Sequence, residues 1–72
     1  MAKGGNAVYR VTEVIGTSKS SWEDAALSAV RTAAKSLRDL RIAEISKLDV
    51  KIDNGKITQF RARLALSFKY DA

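Results

Sequence analysis

Residues 57–70 read ITQFRARLALSFKY, and the alternation in this stretch decides the fold. The even-numbered positions from Phe60 to Tyr70 are all apolar, whereas the odd-numbered ones carry arginine, alanine, serine and lysine. Strict alternation over this length predicts a β-strand with one buried face, because successive side chains of a strand point to opposite sides. The other face begins with Arg61 and Arg63 and needs a separate explanation.

The residues before this stretch predict the other half of a hairpin. An Asn-Gly pair at positions 54–55 readily supplies the positive φ angles of a tight turn. Residues 41–53, RIAEISKLDVKID, have the composition of a strand, but the parity of their apolar positions changes between Ile45 and Leu48. One extra residue would reconcile the two halves, so we predict a β-bulge near Ser46–Lys47.

The first half of the chain predicts one strand followed by one helix. Residues 8–15, VYRVTEVI, are rich in β-branched and aromatic side chains, and we expect this strand to end at Gly16. Ser20 and Glu23 fit a capping box at the start of a helix. Apolar positions then recur at three- and four-residue steps from Trp22 to Leu40, which indicates one buried helix face. That face comprises Trp22, Ala26, Ala29, Val30, Ala33, Leu37 and Leu40.

The predicted order of elements is therefore β-α-β-β. This is an α+β fold in which a three-stranded antiparallel sheet packs closely on one alanine-rich helix. We expect a single domain over residues 1–72, with residues 1–6 as a flexible leader. One chain of this length cannot cover the second face and the two edges of such a sheet, so self-association is expected on physical grounds.

Composition excludes several classes of function. The chain has no cysteine and no histidine, which removes disulfides, thiolate metal sites and the commonest general base. We therefore expect a protein that is not an enzyme. Neither a signal peptide nor an apolar run of roughly 18 residues is present, so we expect a cytoplasmic protein without a membrane segment.

The net charge of +5 raises nucleic acid as an alternative partner. Nucleic-acid binding needs clustered basic side chains, often with exposed aromatic rings. The thirteen lysines and arginines are instead spread over the whole chain between acidic residues. This distribution disfavours nucleic acid as the partner, and nucleic-acid binding remains the second alternative.

Three segments in this order and spacing resemble the dodecin family over residues 8–70: VIGTS at 14–18, RIAEI at 41–45 and FRARLALSFK at 60–69. The resemblance implies a β-α-β-β subunit whose sheet wraps around the helix and which assembles as a hollow homododecamer. It also implies that the protein binds, stores or sequesters a small ligand. Typical dodecins hold flavins, such as riboflavin or FMN, in stacked pairs between subunits, and some bind coenzyme A.

Two positions differ from the flavin-binding dodecins. Ile42 replaces a tryptophan whose indole stacks on the flavin ring, and Arg61 replaces a glutamine that contacts the flavin. Glutamine both donates and accepts hydrogen bonds, whereas arginine only donates. The resemblance thus implies weak or lost flavin binding in an inter-subunit pocket lined by Ile42, Glu44 and Arg61. In that pocket Glu44 would accept a hydrogen bond and Arg61 would bind an anion or a carbonyl. Alternatively, Arg61 and Glu44 pair across a subunit contact and close the pocket.

Four segments are similar to the calcium dodecin subgroup: TSKSSWEDAA, LRIAEI, DNGKIT and SFK, which begin at residues 17, 40, 53 and 67. This similarity implies a bound calcium ion, and a shell that binds ions for a structural role is the first alternative. The ligands of such an ion are not defined by the resemblance. Asp53 and Asn54 could offer oxygens to calcium, but formation of the turn also explains both residues.

Overall fold

The computed structural model describes residues 6–70, so the predicted leader lies outside the described residues except for Asn6. Strand β1 spans Tyr9–Ser18, helix α1 spans Trp22–Ala34, β2 spans Leu40–Asp53 and β3 spans Lys56–Lys69. The strands form one antiparallel sheet in the order β1-β3-β2. Helix α1 packs on one face of this sheet. The predicted β-α-β-β fold class is confirmed.

Strand β3 lies at the centre of the sheet, which explains why its alternation is the clearest signal in the sequence. Its buried residues Ala62, Leu64 and Leu66 all face α1. The hairpin to β2 turns at Asn54 and Gly55, with φ angles of 52° and 76°. Positive φ at both central residues is the geometry that a tight hairpin turn requires, so the Asn-Gly prediction is confirmed.

The predicted bulge in β2 is confirmed. Ile45 pairs with Leu64 and Lys47 pairs with Arg63, so Ser46 is the extra residue between two consecutive partners. The Ser46 hydroxyl donates a hydrogen bond to the Arg63 carbonyl oxygen over 3.1 Å. The bulge restores the register so that the apolar side chains on both sides of it face the helix.

Strand β1 does not end at Gly16 as predicted, because its pairing with β3 continues to Ser18 opposite Phe60. Gly16 itself pairs with Ala62 and lies directly under α1. A Cβ atom at this position would overlap the Ala25 carbonyl oxygen and come within 2.9 Å of the Ala29 Cβ. The glycine therefore permits close approach of helix and sheet and does not break the strand.

The start of α1 differs from the prediction by one residue. The N-cap is Ser21, whose hydroxyl accepts a hydrogen bond from the Asp24 backbone N–H over 3.0 Å, so the predicted Ser20–Glu23 capping box is wrong. Ser18 explains the shift. Its hydroxyl accepts from the Ser20 N–H over 2.9 Å and donates to the Asp24 carboxylate over 2.7 Å, which keeps Ser20 in the turn before the helix.

The effect of alanine substitutions on the free energy of unfolding should distinguish the N-cap Ser21 from its neighbour Ser20. Ser21→Ala is expected to lower the free energy of unfolding by about 1 kcal/mol, because it leaves a helix N–H without its acceptor. Ser20→Ala is the matched control, and we expect it to change this free energy by less than about 0.5 kcal/mol. Urea unfolding followed by circular dichroism measures both. Equal losses in the two variants would contradict the assignment of the cap.

Helix α1 ends at Ala34 and not at the predicted Leu40. The N–H groups of Ser36 and Leu37 both bond to the Ala33 carbonyl, which tightens the chain into a turn. Asp39 then takes a left-handed conformation with φ of 57°, and β2 begins at the next residue. Leu37 and Leu40 still pack against the core, so apolar spacing alone did not reveal that the helix had ended.

The hydrophobic core is small and consists mainly of alanine. Its fully buried members are Ala25, Ala62, Leu64 and Leu66, and Ala29 is nearly buried. Ala25 was missing from the predicted apolar face of the helix. Trp22, which was included, is 39% exposed.

The subunit is elongated and exposes many apolar side chains. Its extents are 56 × 20 × 16 Å and its radius of gyration is 15.2 Å, against roughly 11 Å for a compact domain of this length. Val11, Ile42 and Ile57 are each more than half exposed. Such exposure on a small chain is typical of a protein–protein contact surface. No helix among residues 6–70 is long and apolar enough to cross a membrane.

Candidate functional site

The predicted site residues lie on the face of the sheet that points away from α1, which we call the outer face. Directly paired residues of antiparallel strands share a face, so the register assigns its members. From β1, β3 and β2 these are Val11, Glu13, Ile15, Thr17, Arg61, Arg63, Ala65, Ser67, Ile42, Glu44, Lys47, Asp49 and Lys51.

One subunit does not bring the three predicted site residues together. Glu44 pairs with Ala65 and Ile42 pairs with Ser67, whereas Arg61 precedes these two partners on β3 by four and six residues. At about 3.3 Å per residue these separations are roughly 13 and 20 Å. A pocket lined by Ile42, Glu44 and Arg61 therefore requires residues from more than one copy of the chain.

Arg61 is held by Asp49 on the neighbouring strand. The Arg61 Nε donates to Asp49 Oδ1 over 2.7 Å, and Nη2 donates to Oδ2 over 3.2 Å. Two parallel hydrogen bonds of this kind fix the orientation of both groups more strongly than a single contact does. We call this pair the Arg61–Asp49 fork. The alternative in which Arg61 pairs with Glu44 would form between subunits. Within one subunit, Arg61 pairs with Asp49.

The fork shifts the pKa of both side chains. The hydrogen bonds from Arg61 hold the pKa of the Asp49 carboxyl below its ordinary value of 3.8, and the charges of Arg61 and Arg63 act in the same direction. The hydrogen bonds to Asp49 raise the pKa of Arg61 in turn. Both side chains are partly exposed to solvent, at 37% for Arg61 and 55% for Asp49, so the fork orients the guanidinium more than it stabilises the fold.

The lowered pKa predicts a dependence of stability on acid. Because the folded-state pKa of Asp49 lies below its unfolded value, the contribution of the fork is complete above pH 3.8 and is lost as the pH falls through the folded pKa. The difference in melting temperature between the wild type and Asp49→Asn should therefore be largest near neutral pH and shrink in acid. Melting curves from neutral to strongly acidic pH measure it. A constant difference over this range would contradict the assignment.

The fork is also linked to the start of the helix through Trp22. The Trp22 indole N–H donates to the Asp49 backbone carbonyl over 3.0 Å. The indole ring lies edge-on to Phe60, with 5.1 Å between ring centroids. These contacts hold the start of the helix on the sheet, and they fix the main chain of Asp49 separately from its carboxylate.

Asp49 was not predicted as a site residue, because the sequence does not show which residue of β3 it pairs with. If pairing is counted outward from Asp53–Lys56 without interruption, Asp49 falls opposite Phe60. A second irregularity, between Lys51 and Ile52, moves Asp49 opposite Arg61. The only signal in the sequence was the opposite charges of the two residues, and that signal does not select one partner among several basic residues.

Within one subunit, the carboxylates that the structure describes do not fit a calcium site. Residues 6–70 contain no group of three or more Asp and Glu side chains close enough to share an ion, whereas calcium prefers six to eight oxygen ligands. Asp49 is engaged by Arg61, and Asp53 accepts a hydrogen bond from the Thr58 hydroxyl over 2.8 Å.

Two open grooves border α1, and neither contains a predicted site residue. The groove between β1 and α1, of about 590 Å³, is mainly apolar, with Val14 and Leu37 in its lining beside the hydroxyl group of Thr12. The groove between α1 and β2 is apolar and includes Leu27 and Ile45. Both grooves border the helix, and the first also touches Ile15 and Thr17 of β1.

Comparison with known proteins agrees with this geometry. The sequence model of the Dodecin family matches residues 8–71. This chain belongs to the dodecin family. Dodecins are non-enzymatic binding proteins, and members of the family form homododecamers. The expectation of a non-enzymatic protein is thereby confirmed, and the chain is a small-ligand-binding protein of the dodecin type.

Individual dodecins are similar over most of the chain. A calcium dodecin from Mycobacterium tuberculosis is 47% identical over 64 residues, which are 88% of this chain and 89% of that protein. The structure of a calcium dodecin from the same organism has a TM-score of 0.79 at 44% identity and covers 90% of this chain and 93% of its own. That dodecin is described as a calcium-chelating antigen with a calcium-binding site. A Streptomyces coelicolor dodecin has a TM-score of 0.87 at 33% identity and covers 96% of this chain and 99% of its own.

Proposed function

We propose that this dodecin is a cytoplasmic homododecamer that stores or sequesters a small ligand between its subunits. The observation that carries the proposal is the outer face of the sheet. It combines exposed apolar side chains, such as Ile15 and Ile42, with the charged residues Glu44 and Arg61. A single subunit leaves this face open, and contact between copies would turn it into a series of enclosed sites.

We further propose that Ile42, Glu44 and Arg61 line these sites, and that they bind flavins weakly or not at all. Ile42 offers apolar surface but no aromatic ring for stacking. Arg61 cannot accept a hydrogen bond, and its guanidinium is already engaged by Asp49. The ligand of the site is then a small molecule whose binding does not depend on an indole stack. Coenzyme A, the other candidate that the family resemblance offers, carries phosphates and is less favoured beside a guanidinium that is already paired with Asp49.

Native mass spectrometry tests the assembly and reports any ligand that is retained. A particle with the mass of twelve subunits is the expected result, and a stable monomer would refute the proposal.

Riboflavin titration followed by quenching of flavin fluorescence tests whether Ile42 and Arg61 line the ligand site. The wild type should bind weakly, and Ile42→Trp combined with Arg61→Gln should bind at least tenfold more tightly. Ile52→Trp is the matched control, because that residue is equally exposed but lies near the hairpin turn. No gain in the double variant would contradict the role of Ile42 and Arg61.

A structural calcium-binding role is the second candidate, and the similarity to a protein named calcium dodecin favours it. Because residues 6–70 of one subunit bring no three carboxylates close together, we infer that this role uses carboxylates from several copies. Added calcium would then raise the melting temperature of the assembled protein, and a chelator would reverse the rise. The same melting temperature in calcium and in chelator would reject this candidate.

The basic residues on the outer face are interleaved with Glu44 and Asp49, so nucleic acid remains the less favoured partner.

A further inference from the structure

The outer face carries a local cluster of basic residues with Asp49 in its middle. Lys47 and Lys51 flank Asp49 on β2, and Arg61 and Arg63 lie beside it on β3. Asp49 is the one carboxylate among these five residues. Arg63 has a second acidic neighbour, since its Nη1 lies 3.7 Å from the Glu13 Oε1 on β1. Lys51 Nζ likewise lies 3.9 Å from Asp53 Oδ2. Without the charge of Asp49, the positive charges of Lys47 and Arg61 would have no acidic partner in this cluster, and the area would attract anions more strongly.

The geometry of the fork leaves one edge of Arg61 available. Nε and Nη2 are bound to Asp49, whereas no hydrogen bond joins Nη1 to any of residues 6–70. The bound carboxylate compensates the charge of the guanidinium, but the hydrogens on Nη1 can still be donated. In this state Arg61 can donate a hydrogen bond to an uncharged acceptor, such as a ring carbonyl, with little net attraction for an anion.

We propose that Asp49 is a positioning residue that sets the specificity of the outer-face site. It aligns Arg61 and compensates its charge, so that the site favours ligands with neutral carbonyl acceptors over phosphate and other anions. The inference rests on the proposed function, because it concerns the ligand class of the same site. It adds a residue to that site and a direction of selectivity.

Inorganic phosphate is a suitable probe because it presents the anion without a ring system. In the assembled protein we expect weak phosphate binding by the wild type and about tenfold tighter binding by Asp49→Asn. Phosphorus NMR titration measures the affinities. Asp53→Asn is the matched control, since it removes the same charge from the same strand but lies beside Lys51 and away from Arg61. Adding Arg61→Gln to Asp49→Asn should return phosphate affinity to that of the wild type.

Two outcomes would overturn the inference. Equal phosphate affinities for Asp49→Asn and Asp53→Asn would mean that only the net charge matters. A gain that persists after Arg61→Gln is added would assign it to the lysines. The Asp49→Asn substitution retains the backbone carbonyl that binds Trp22, so unchanged fluorescence of this single tryptophan checks the fold.

A measurement on the wild type avoids dependence on the variants. The proton and nitrogen NMR signals of Arg61 Nε should not move when phosphate is added, because that atom is bound to Asp49. Movement of these signals would also overturn the inference. Native mass spectrometry of the same samples distinguishes failure of the proposed assembly from failure of the role proposed for Asp49. A monomer would refute the proposed shell, whereas a homododecamer that fails the phosphate tests would refute only the role of Asp49.

Discussion

Gly16→Ala is expected to lower the free energy of unfolding by about 3 kcal/mol or more, the largest effect of any substitution considered. The new Cβ would overlap the Ala25 carbonyl oxygen and press on the Ala29 Cβ. Backbone atoms cannot move aside as a flexible side chain can, so α1 would have to shift away from the sheet. Because the stability of a 72-residue domain is only about 4–11 kcal/mol, much of the protein would unfold or fail to assemble.

Gly55→Ala is the matched control for this prediction. A methyl group at Gly55 would meet no atom within 4 Å, and the only cost is its φ angle of 76°. We therefore expect a loss of about 1 kcal/mol. Urea unfolding at fixed protein concentration compares the two variants. If Gly16→Ala is no more harmful than Gly55→Ala, the helix does not pack on the sheet at the distance described.

Leu64→Ala should lower the free energy of unfolding by about 3 kcal/mol and the melting temperature by roughly 15 °C. Leu64 is 1% exposed and lies on the central strand, between the helix and both neighbouring strands. Leu64 and Leu66 are the largest fully buried side chains of the core. The cavity left by Leu64 therefore has few other large side chains to fill it.

Ile45→Ala is the control, because Ile45 pairs directly with Leu64 but is 52% exposed within one subunit. The loss within a single subunit should be less than half of that for Leu64→Ala. Unfolding at two protein concentrations separates effects on the subunit from effects on assembly, because only the latter depend on concentration. Equal losses at low concentration would contradict the burial assigned to Leu64.

Much of the fold followed from local patterns in the sequence. The alternation in β3, the Asn-Gly turn and the parity change in β2 gave the hairpin and its bulge correctly, because each depends on residues close together in the chain. The limits of the elements were less predictable. Gly16 resembled a strand end because nothing local shows that a helix lies against it. Leu37 and Leu40 continue the helical spacing of apolar residues, although Leu37 follows the end of the helix and Leu40 begins β2.

The candidate site was less predictable for a related reason. Ile42, Glu44 and Arg61 were chosen by resemblance, and the outer face that carries them follows from strand parity. The partner of Arg61 depends on the irregularity between Lys51 and Ile52, which moves Asp49 by one residue. A single extra residue changes every subsequent pair, so a charge pair across two long strands cannot be read from the sequence alone.

The central position of β3 has a consequence for the order in which the subunit can fold. The hairpin with β2 is local and can form within about 1–10 μs. Strand β1 pairs with β3 although the two are far apart in the sequence, with Tyr9 beside Lys69. Contacts between such distant residues form late. During synthesis β1 and α1 leave the ribosome first, yet the buried residues Ala62, Leu64 and Leu66 belong to the final strand. Until then the alanine face of α1 can contact only β1, so we expect the unfinished chain to have no stable core until β3 has been made.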